Sequence, residues 1–260
     1  MPYGSYGERM NAAGGTRRLA VAGATGLIGA QVVQIATAAG HEVVPLCRSC
    51  GVDLTDPATI GNRLEGVDAV IDVTRPSVMG TDEAVAFFTT VAKNLGQAAS
   101  TAGVRRTIVL SIVGIDQSQD FGWYIATLAH EDATRSFSPG PRVLRATQFH
   151  EFPSQVLGWS RQDGRAEIMD MPTQPVASVE VARQLLQMAN DIGDHDCDIA
   201  GPQPERLVDL VRQLVTLTGD DVDVVPGAVP ASMAAGSTLP GPGALLRGVD
   251  WHTWATATYG

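Results

Sequence analysis

The sequence predicts an α/β protein built on a parallel β-sheet. Short apolar runs alternate with segments of helical spacing between Arg18 and Ala146, the pattern of strand–helix–strand units. A glycine-punctuated turn joins the first run to the first helix. The composition, 44% hydrophobic and 18% charged over 260 residues, is that of a chain able to bury a core.

Each element has its own reason. Arg18–Gly23 (RLAVAG) is a short apolar run ending in glycine and reads as a buried strand. LIGAQVVQIATAAG follows with helical spacing and stops at Gly40. His41–Arg48 is a second strand. Thr55–Gly66 is read as a helix, with Pro57 near its start and Gly66 at its close. Asp68–Thr74 is a third strand and Thr81–Gly103 a long helix carrying Phe87, Phe88 and Leu95. Arg106–Gly114 and Pro141–Ala146 are the fourth and fifth strands. Beyond Thr147 the pattern loosens. Ser178–Asn190 and Pro204–Gly219 are helical, Asp196–Gly201 is a short strand, and Trp251–Ala257 is a short docked helix. Pro226–Gly248, rich in proline, glycine, alanine and serine, reads as a loop-like connection. Such units pair their strands in parallel through right-handed crossovers.

Bulk properties remove several classes of function. The formal net charge is −10 and the arginines are scattered, so a nucleic-acid partner is not expected. No apolar run reaches membrane-spanning length, and residues 1–17 are read as a loose tail without an apolar signal core. Three cysteines in a chain of this size point to a reducing, cytoplasmic setting rather than a disulfide framework. No metal is expected: the C-x-x-C of Cys47 and Cys50 has no second pair or nearby histidines to complete a zinc site. As a redox pair it would flank Arg48; otherwise it is two unrelated small residues at a strand end. Cys197 is expected to be buried in its strand.

Gly23, Gly26 and Gly29 are spaced three apart between the first strand and the first helix. This is the setting in which a glycine triplet grips a dinucleotide. Gly23 permits the tight turn, Gly26 lets the backbone approach a pyrophosphate, and Gly29 lets the helix pack closely on the sheet. The helix N-terminus then offers free N–H groups and partial positive charge to the phosphates. The second strand ends at Cys47-Arg48 rather than at a carboxylate. An arginine there suits the 2′-phosphate of NADP, so NADP is favoured, with NAD as the alternative.

With these residues in view, the chain resembles an atypical short-chain dehydrogenase/reductase of the NmrA-like group over about residues 18–220. VAGATGLIG is the most specific piece and implies a cofactor loop of Gly23, Ala24, Thr25, Gly26, Leu27, Ile28 and Gly29. GVDLTD is similar to the segment that flanks the adenine, here Asp53 and Leu54. DVTRPS resembles the loop beside ribose and phosphates, at Thr74, Arg75 and Pro76. VLSIVGID resembles the strand carrying the family's serine, which falls on Ser111. VLRATQFHEF is similar to the stretch that passes the nicotinamide and opens the substrate pocket. The resemblance implies a doubly wound parallel sheet, a Rossmann fold, with a small C-terminal α+β substrate-side subdomain. The corresponding divisions are a tail over 1–17, an NAD(P)-binding core over 18–150, and a C-terminal portion over 151–260.

The chain also departs from that family. Catalytic relatives carry Tyr-x-x-x-Lys, whereas here Trp123 takes the tyrosine's place and Thr127 the lysine's. The tyrosine hydroxyl exchanges the proton as hydride moves, and the lysine lowers its pKa. An indole N–H and an uncharged threonine do neither. Lys93, the one lysine of the chain, lies in the long helix away from the site. The remaining catalytic candidates are His150, Ser111 and Tyr124, and the expected substrate pocket takes in Trp123, Tyr124, Phe149 and His150. Each has a plain structural alternative: a loop histidine, a satisfied strand-end serine, core aromatics. Glu151 suits the start of the following helix. The sequence thus supports an NADP(H)-dependent reductase of a small quinone- or carbonyl-type molecule, working as monomer or homodimer. Its alternatives are a non-catalytic NADP(H)-sensing regulator and an isomerase or cyclase on the same fold.

Overall fold

The computed structural model describes residues 15–77, 80–190 and 195–260. The expected tail over 1–17 lies outside the described residues except for 15–17, which carry no helix or strand. Strand β1 (Arg18–Ala22) is an apolar run whose last four residues are buried. Helix α1 (Leu27–Ala38) buries Ile28, Val32 and Ala36, one stripe at four-residue spacing. Strand β2 (Glu42–Leu46) contains Pro45, which a sheet tolerates at its edge because no inner ladder bond is lost there. Strand β3 (Ala69–Asp72) is buried throughout. Helix α2 (Thr81–Thr101) starts with Asp82 and Glu83 at its positive end and buries Ala84, Phe88, Val91 and Leu95. Strand β4 (Arg106–Ile112), helix α3 (Gly122–Phe137) and strand β5 (Pro141–Ala146) complete the alternating part.

The rest of the chain adds helix α4 (Phe152–Ser160) and strands β6 (Arg161–Gln162), β7 (Arg165–Met169) and β8 (Pro172–Thr173). Helix α5 (Ser178–Ala189), strand β9 (Cys197–Ala200), strand β10 (Glu205–Arg206) and helix α6 (Leu207–Thr218) follow. Strand β11 (Asp223–Gly227), helix α7 (Ala231–Ala234), strand β12 (Leu245–Leu246) and helix α8 (Trp251–Tyr259) close it. The main sheet has seven strands in the order β12-β9-β5-β4-β3-β1-β2. The pairs β1–β2, β1–β3, β3–β4, β5–β9 and β9–β12 are parallel. Sheet order therefore reverses at β1, with β2 on one side and β3 on the other.

Three expectations need correction. Thr55–Gly66 is not a helix but a single 3-10 turn, Pro57–Thr59, capped by Asp56 through the Ala58 N–H. Gly61 then takes a left-handed conformation (φ +50°), which ends any helix one turn after it begins. Pro226–Gly248 is not wholly loop: it holds α7 and β12, whose two residues pair with Ile199 and Ala200. Cys197 is half-buried rather than buried. A small sheet, β11-β7-β6, was not anticipated, although its β6–β7 hairpin turns on Asp163-Gly164, both left-handed. Asp-Gly is the signal for such a turn, but the flanking strands are too short to show alternation.

By contacts the chain divides into two compact units. The first takes in the described residues of 1–110, 129–143 and 182–195; the second is 111–128, 144–181 and 196–260. The first unit has a core of Ala20, Leu46, Ile60, Leu64, Val70, Val91 and Leu95, with neighbours. The second is built on Ile115, Tyr124, Ile168, Met171, Leu207, Val211 and Trp251. Among the described residues no helix is long and apolar enough to cross a membrane.

Candidate cofactor site

In the first unit the carboxyl ends of β1, β2 and β3 open into a cleft of about 420 Å³. It sits where the strand order reverses, the place at which open α/β sheets bind ligands. Gly23 leaves β1 in the left-handed region (φ +80°) and donates its N–H to the Leu46 carbonyl at 3.0 Å. A side chain there would also press on the Val73 carbonyl. A Cβ on Gly29 would overlap the Gly23 carbonyl oxygen, so the first turn of α1 can lie flush against the loop only with glycine at that position. Gly26 differs: a Cβ would meet nothing nearer than the Gly23 oxygen at 3.4 Å, and the residue faces the cleft. Glycine there keeps the backbone approachable from the cleft rather than relieving a clash inside the protein. The first turn of α1 has no acidic residue and no side-chain cap, leaving its N–H groups to an outside acceptor.

Of the residues expected to hold a cofactor, Gly23, Thr25, Gly26, Arg48, Asp53, Leu54, Thr74 and Arg75 line the cleft. Ala24, Ile28 and Pro76 are buried and Leu27 is exposed, and none of the four lines the cleft. Gly29 packs behind the loop, and Ser111 belongs to the other unit. Leu46, Val52, Val73 and Phe87 supply apolar wall suited to an adenine ring. Arg48 and Arg75 place positive charge along the cleft. One oxygen of Asp53, Oδ1, accepts from the Thr55 amide and hydroxyl at 3.0 and 2.7 Å. Those bonds, and the nearby Arg48, hold its carboxyl below the usual range, so it is an anion at neutral pH. Asn94 on α2 donates to the Leu54 and Thr55 carbonyls, fixing this segment from behind. Among the described residues no group of three or more histidines, cysteines or carboxylates could hold a metal ion.

Two supports escaped sequence reasoning. Asp72, at the end of β3, is buried. Its Oδ1 accepts from the Thr74 amide and hydroxyl at 3.0 and 2.7 Å, and its Oδ2 lies 3.0 Å from His130 Nε2. Burial pushes the Asp72 carboxyl up, but His130 and the Thr74 bonds outweigh it and leave it below the ordinary value. The His130 ring stacks on Phe88 at 4.5 Å. Thr74 is therefore set in the cleft wall by a buried carboxylate whose partner lies 58 positions along the chain, which no local motif discloses.

Residues 47–148 match a family model described as NAD(P)H-binding. A search of the curated proteins found no significant match. Among solved structures, an NADPH-dependent quinone oxidoreductase from Escherichia coli, complexed with NADPH, superposes with a TM-score of 0.69 at 15% identity. That likeness covers 93% of this chain and 100% of the other. A dTDP-4-dehydrorhamnose reductase ortholog from Clostridium acetobutylicum gives 0.72 at 15%, covering 93% and 98%. A triphenylmethane reductase from Citrobacter sp., complexed with NADP(H), gives 0.64 at 18%, covering 92% and 99%. The chain carries an NAD(P)H-binding Rossmann domain. The glycine loop of this Rossmann domain precedes the matched residues, so its part in the site rests on the geometry above.

The residues expected around the chemistry lie in the second unit. Tyr124 is buried in that unit's core, where burial pushes its hydroxyl well above the usual range and the Gln148 amide donates to it at 3.1 Å. Trp123 packs half-buried against the same core. The Thr127 hydroxyl donates to the Trp123 carbonyl at 2.9 Å. His150 is buried, its Nε2–H donating to the Pro175 carbonyl at 3.0 Å, while its Nδ1 is buried without a partner. Burial lowers its pKa to about 4, so the ring is neutral at pH 7. Phe149 is half-buried and bridges to Val176. Glu151 is the N-cap of α4 and accepts from Ser178 at 2.5 Å. The Ser111 hydroxyl is buried with no hydrogen-bond partner.

Proposed function

We propose that the protein is an NADP(H)-dependent oxidoreductase, atypical within its group, that reduces a small, electron-poor acceptor of quinone or related carbonyl type. The observation that carries this reading is the cleft at the switch point. There an open glycine loop, an apolar adenine wall and Arg48 stand together. Arg48 offers a planar, charged fork to a 2′-phosphate, which NAD lacks. Bound NADPH would supply the hydride.

The chain's own part is to bind, orient and polarise. With Trp123 and Thr127 in place of tyrosine and lysine, the acceptor must be one whose reduced oxyanion water can protonate. A quinone meets that requirement: quinone, NADPH and one proton give hydroquinone and NADP, the last proton coming from solvent. Ser111, at the family's serine position and with an unpartnered hydroxyl, is the group we assign to hydrogen-bond the acceptor oxygen. Tyr124 and His150, already bonded inside the second unit, serve the fold in this reading. The small-molecule partner, a cytoplasmic setting and a monomer or homodimer belong to the same proposal.

A second reading is an NmrA-like module that holds NADP(H) and reports its redox state. The burial of Tyr124 and the low basicity of His150 favour it, since neither is a ready proton donor. The two readings separate in one assay: NADPH consumption with a panel of benzoquinones, naphthoquinones and enones. Turnover that drops about tenfold or more in Ser111→Ala, but persists in Tyr124→Phe, supports the reductase. Tight NADPH binding without turnover on any acceptor would leave the sensing module in its place.

A further inference from the structure

Cys47 and Cys50 have no part in the reading above, yet they flank the residue on which its cofactor preference depends. Cys47 and Arg48 both line the cleft. In the structure the two sulfurs are joined, with Cα atoms 5.1 Å apart. The enclosed turn is short and closed on itself. The Cys50 N–H donates to the Cys47 carbonyl at 2.9 Å and the Gly51 N–H to the Arg48 carbonyl at 3.0 Å, with Gly51 left-handed at φ +76°. The two cysteines are held unequally. Cys47 is buried and directly follows Leu46, which is in register with Ala22 of the sheet. Cys50 is half-buried, and beyond the turn it is tied by an Arg63 bond to its carbonyl at 3.3 Å.

From this asymmetry we infer that Cys47 and Cys50 form a redox-active pair that regulates NADPH affinity; the inference rests on the NADP reading of Arg48. In the disulfide form the turn bearing Arg48 is cross-linked to the strand end and preorganised for the 2′-phosphate. In the dithiol form the sulfurs must part to van der Waals distance. The anchored Cys47 stays, so the displacement falls on Arg48–Cys50, and binding must then reorder the turn. A low-molecular-weight disulfide of the glutathione type is a sufficient oxidant. The Cys50 thiolate, the more accessible, attacks one sulfur and releases a first glutathione thiolate. The Cys47 thiolate then attacks the Cys50 sulfur of the mixed disulfide and releases the second. Two protein thiols become one disulfide, and oxidised glutathione is reduced by the same two electrons to two thiols.

The test uses the full chain carrying Cys197→Ser, so that the pair holds its only thiols. Protein is equilibrated in glutathione buffers from fully reducing to fully oxidising. Alkylation and mass spectrometry report the thiols, and nicotinamide fluorescence gives Kd for NADPH and NADH. Expected is an NADPH Kd lower by about three- to tenfold in the disulfide form, with NADH changing less than about twofold because it lacks the group Arg48 holds. Cys50→Ser should bind NADPH like the dithiol form in every buffer. Equal NADPH affinity in the two forms overturns the inference, as does tighter binding by the dithiol, a shift that persists in Cys50→Ser, or thiols that never oxidise. Failure of the underlying reading looks different: NADPH and NADH would bind alike in all buffers, or neither would bind, and the inference would fall with it.

Discussion

Under the proposed NADP reading, cofactor choice turns on Arg48, and its removal should act selectively. Arg48→Leu should weaken NADPH binding about tenfold or more, the value of one charge-assisted phosphate contact, and leave NADH within about twofold. Titration of both nucleotides checks this; equal losses would mean that Arg48 shapes the cleft rather than reads the phosphate. Gly29 is a purely steric requirement. Gly29→Ala drives a Cβ into the Gly23 carbonyl and should lower stability and nucleotide affinity together, measured by urea unfolding and fluorescence titration. His150 contributes a pH dependence of definite sign. Its folded pKa, about 4, lies below the unfolded value of about 6.5, so the unfolded chain takes up the proton more readily. The stability it contributes is complete above about pH 6.5 and is lost as pH falls toward 4. Unfolding at several pH values should show this slope, and His150→Phe should reduce it.

At the scale of elements, the cleft is as good as the supports behind its walls. The end of β3 is held by Asp72, which binds Thr74 on one side and His130 of α3 on the other. Both partners of the pair are buried, so removing one leaves the other charge or dipole without its counterpart. Asp72→Asn should cost about 3–5 kcal/mol of stability, the usual penalty for breaking a buried pair, and should weaken nucleotide binding through the displaced Thr74. Phe88→Leu, which removes the ring stacked on His130 and set edge-on to Phe87, should cost less. Comparing the two by denaturant unfolding separates the electrostatic from the packing part. In the second unit Gly201 plays a comparable part: a Cβ there would overlap the Pro175 carbonyl, the same oxygen that accepts from His150. The close approach at Gly201 is thus matched to the carbonyl that holds the histidine.

For the whole molecule, a ligand that binds only the folded chain stabilises it by mass action. NADPH at a hundred times its Kd should add about 2.7 kcal/mol and raise Tm by a few degrees. NADH at the same concentration should do less, because its Kd is weaker under the Arg48 reading. Thermal unfolding with each nucleotide checks this, and an identical shift for both would contradict the preference for NADP.

What the sequence settled was local. The order of the strands in the alternating part, the helices after β1 and after β3, the glycine loop, Arg48 just after β2 and Thr74 after β3 could be read because periodicity and turn chemistry act over a few neighbouring residues. The missing tyrosine and lysine were equally legible, as a mismatch at fixed spacing. Tertiary structure decided the rest. It stopped the helix expected after Thr55 at a left-handed Gly61, drew two residues of a glycine-rich stretch into the sheet as β12, and put His130 against Asp72. It also buried Tyr124 and His150, whose states depend on the groups that exclude water from them. Burial and long-range pairing arise from residues far apart in the chain, and a single sequence carries no local record of which of them meet.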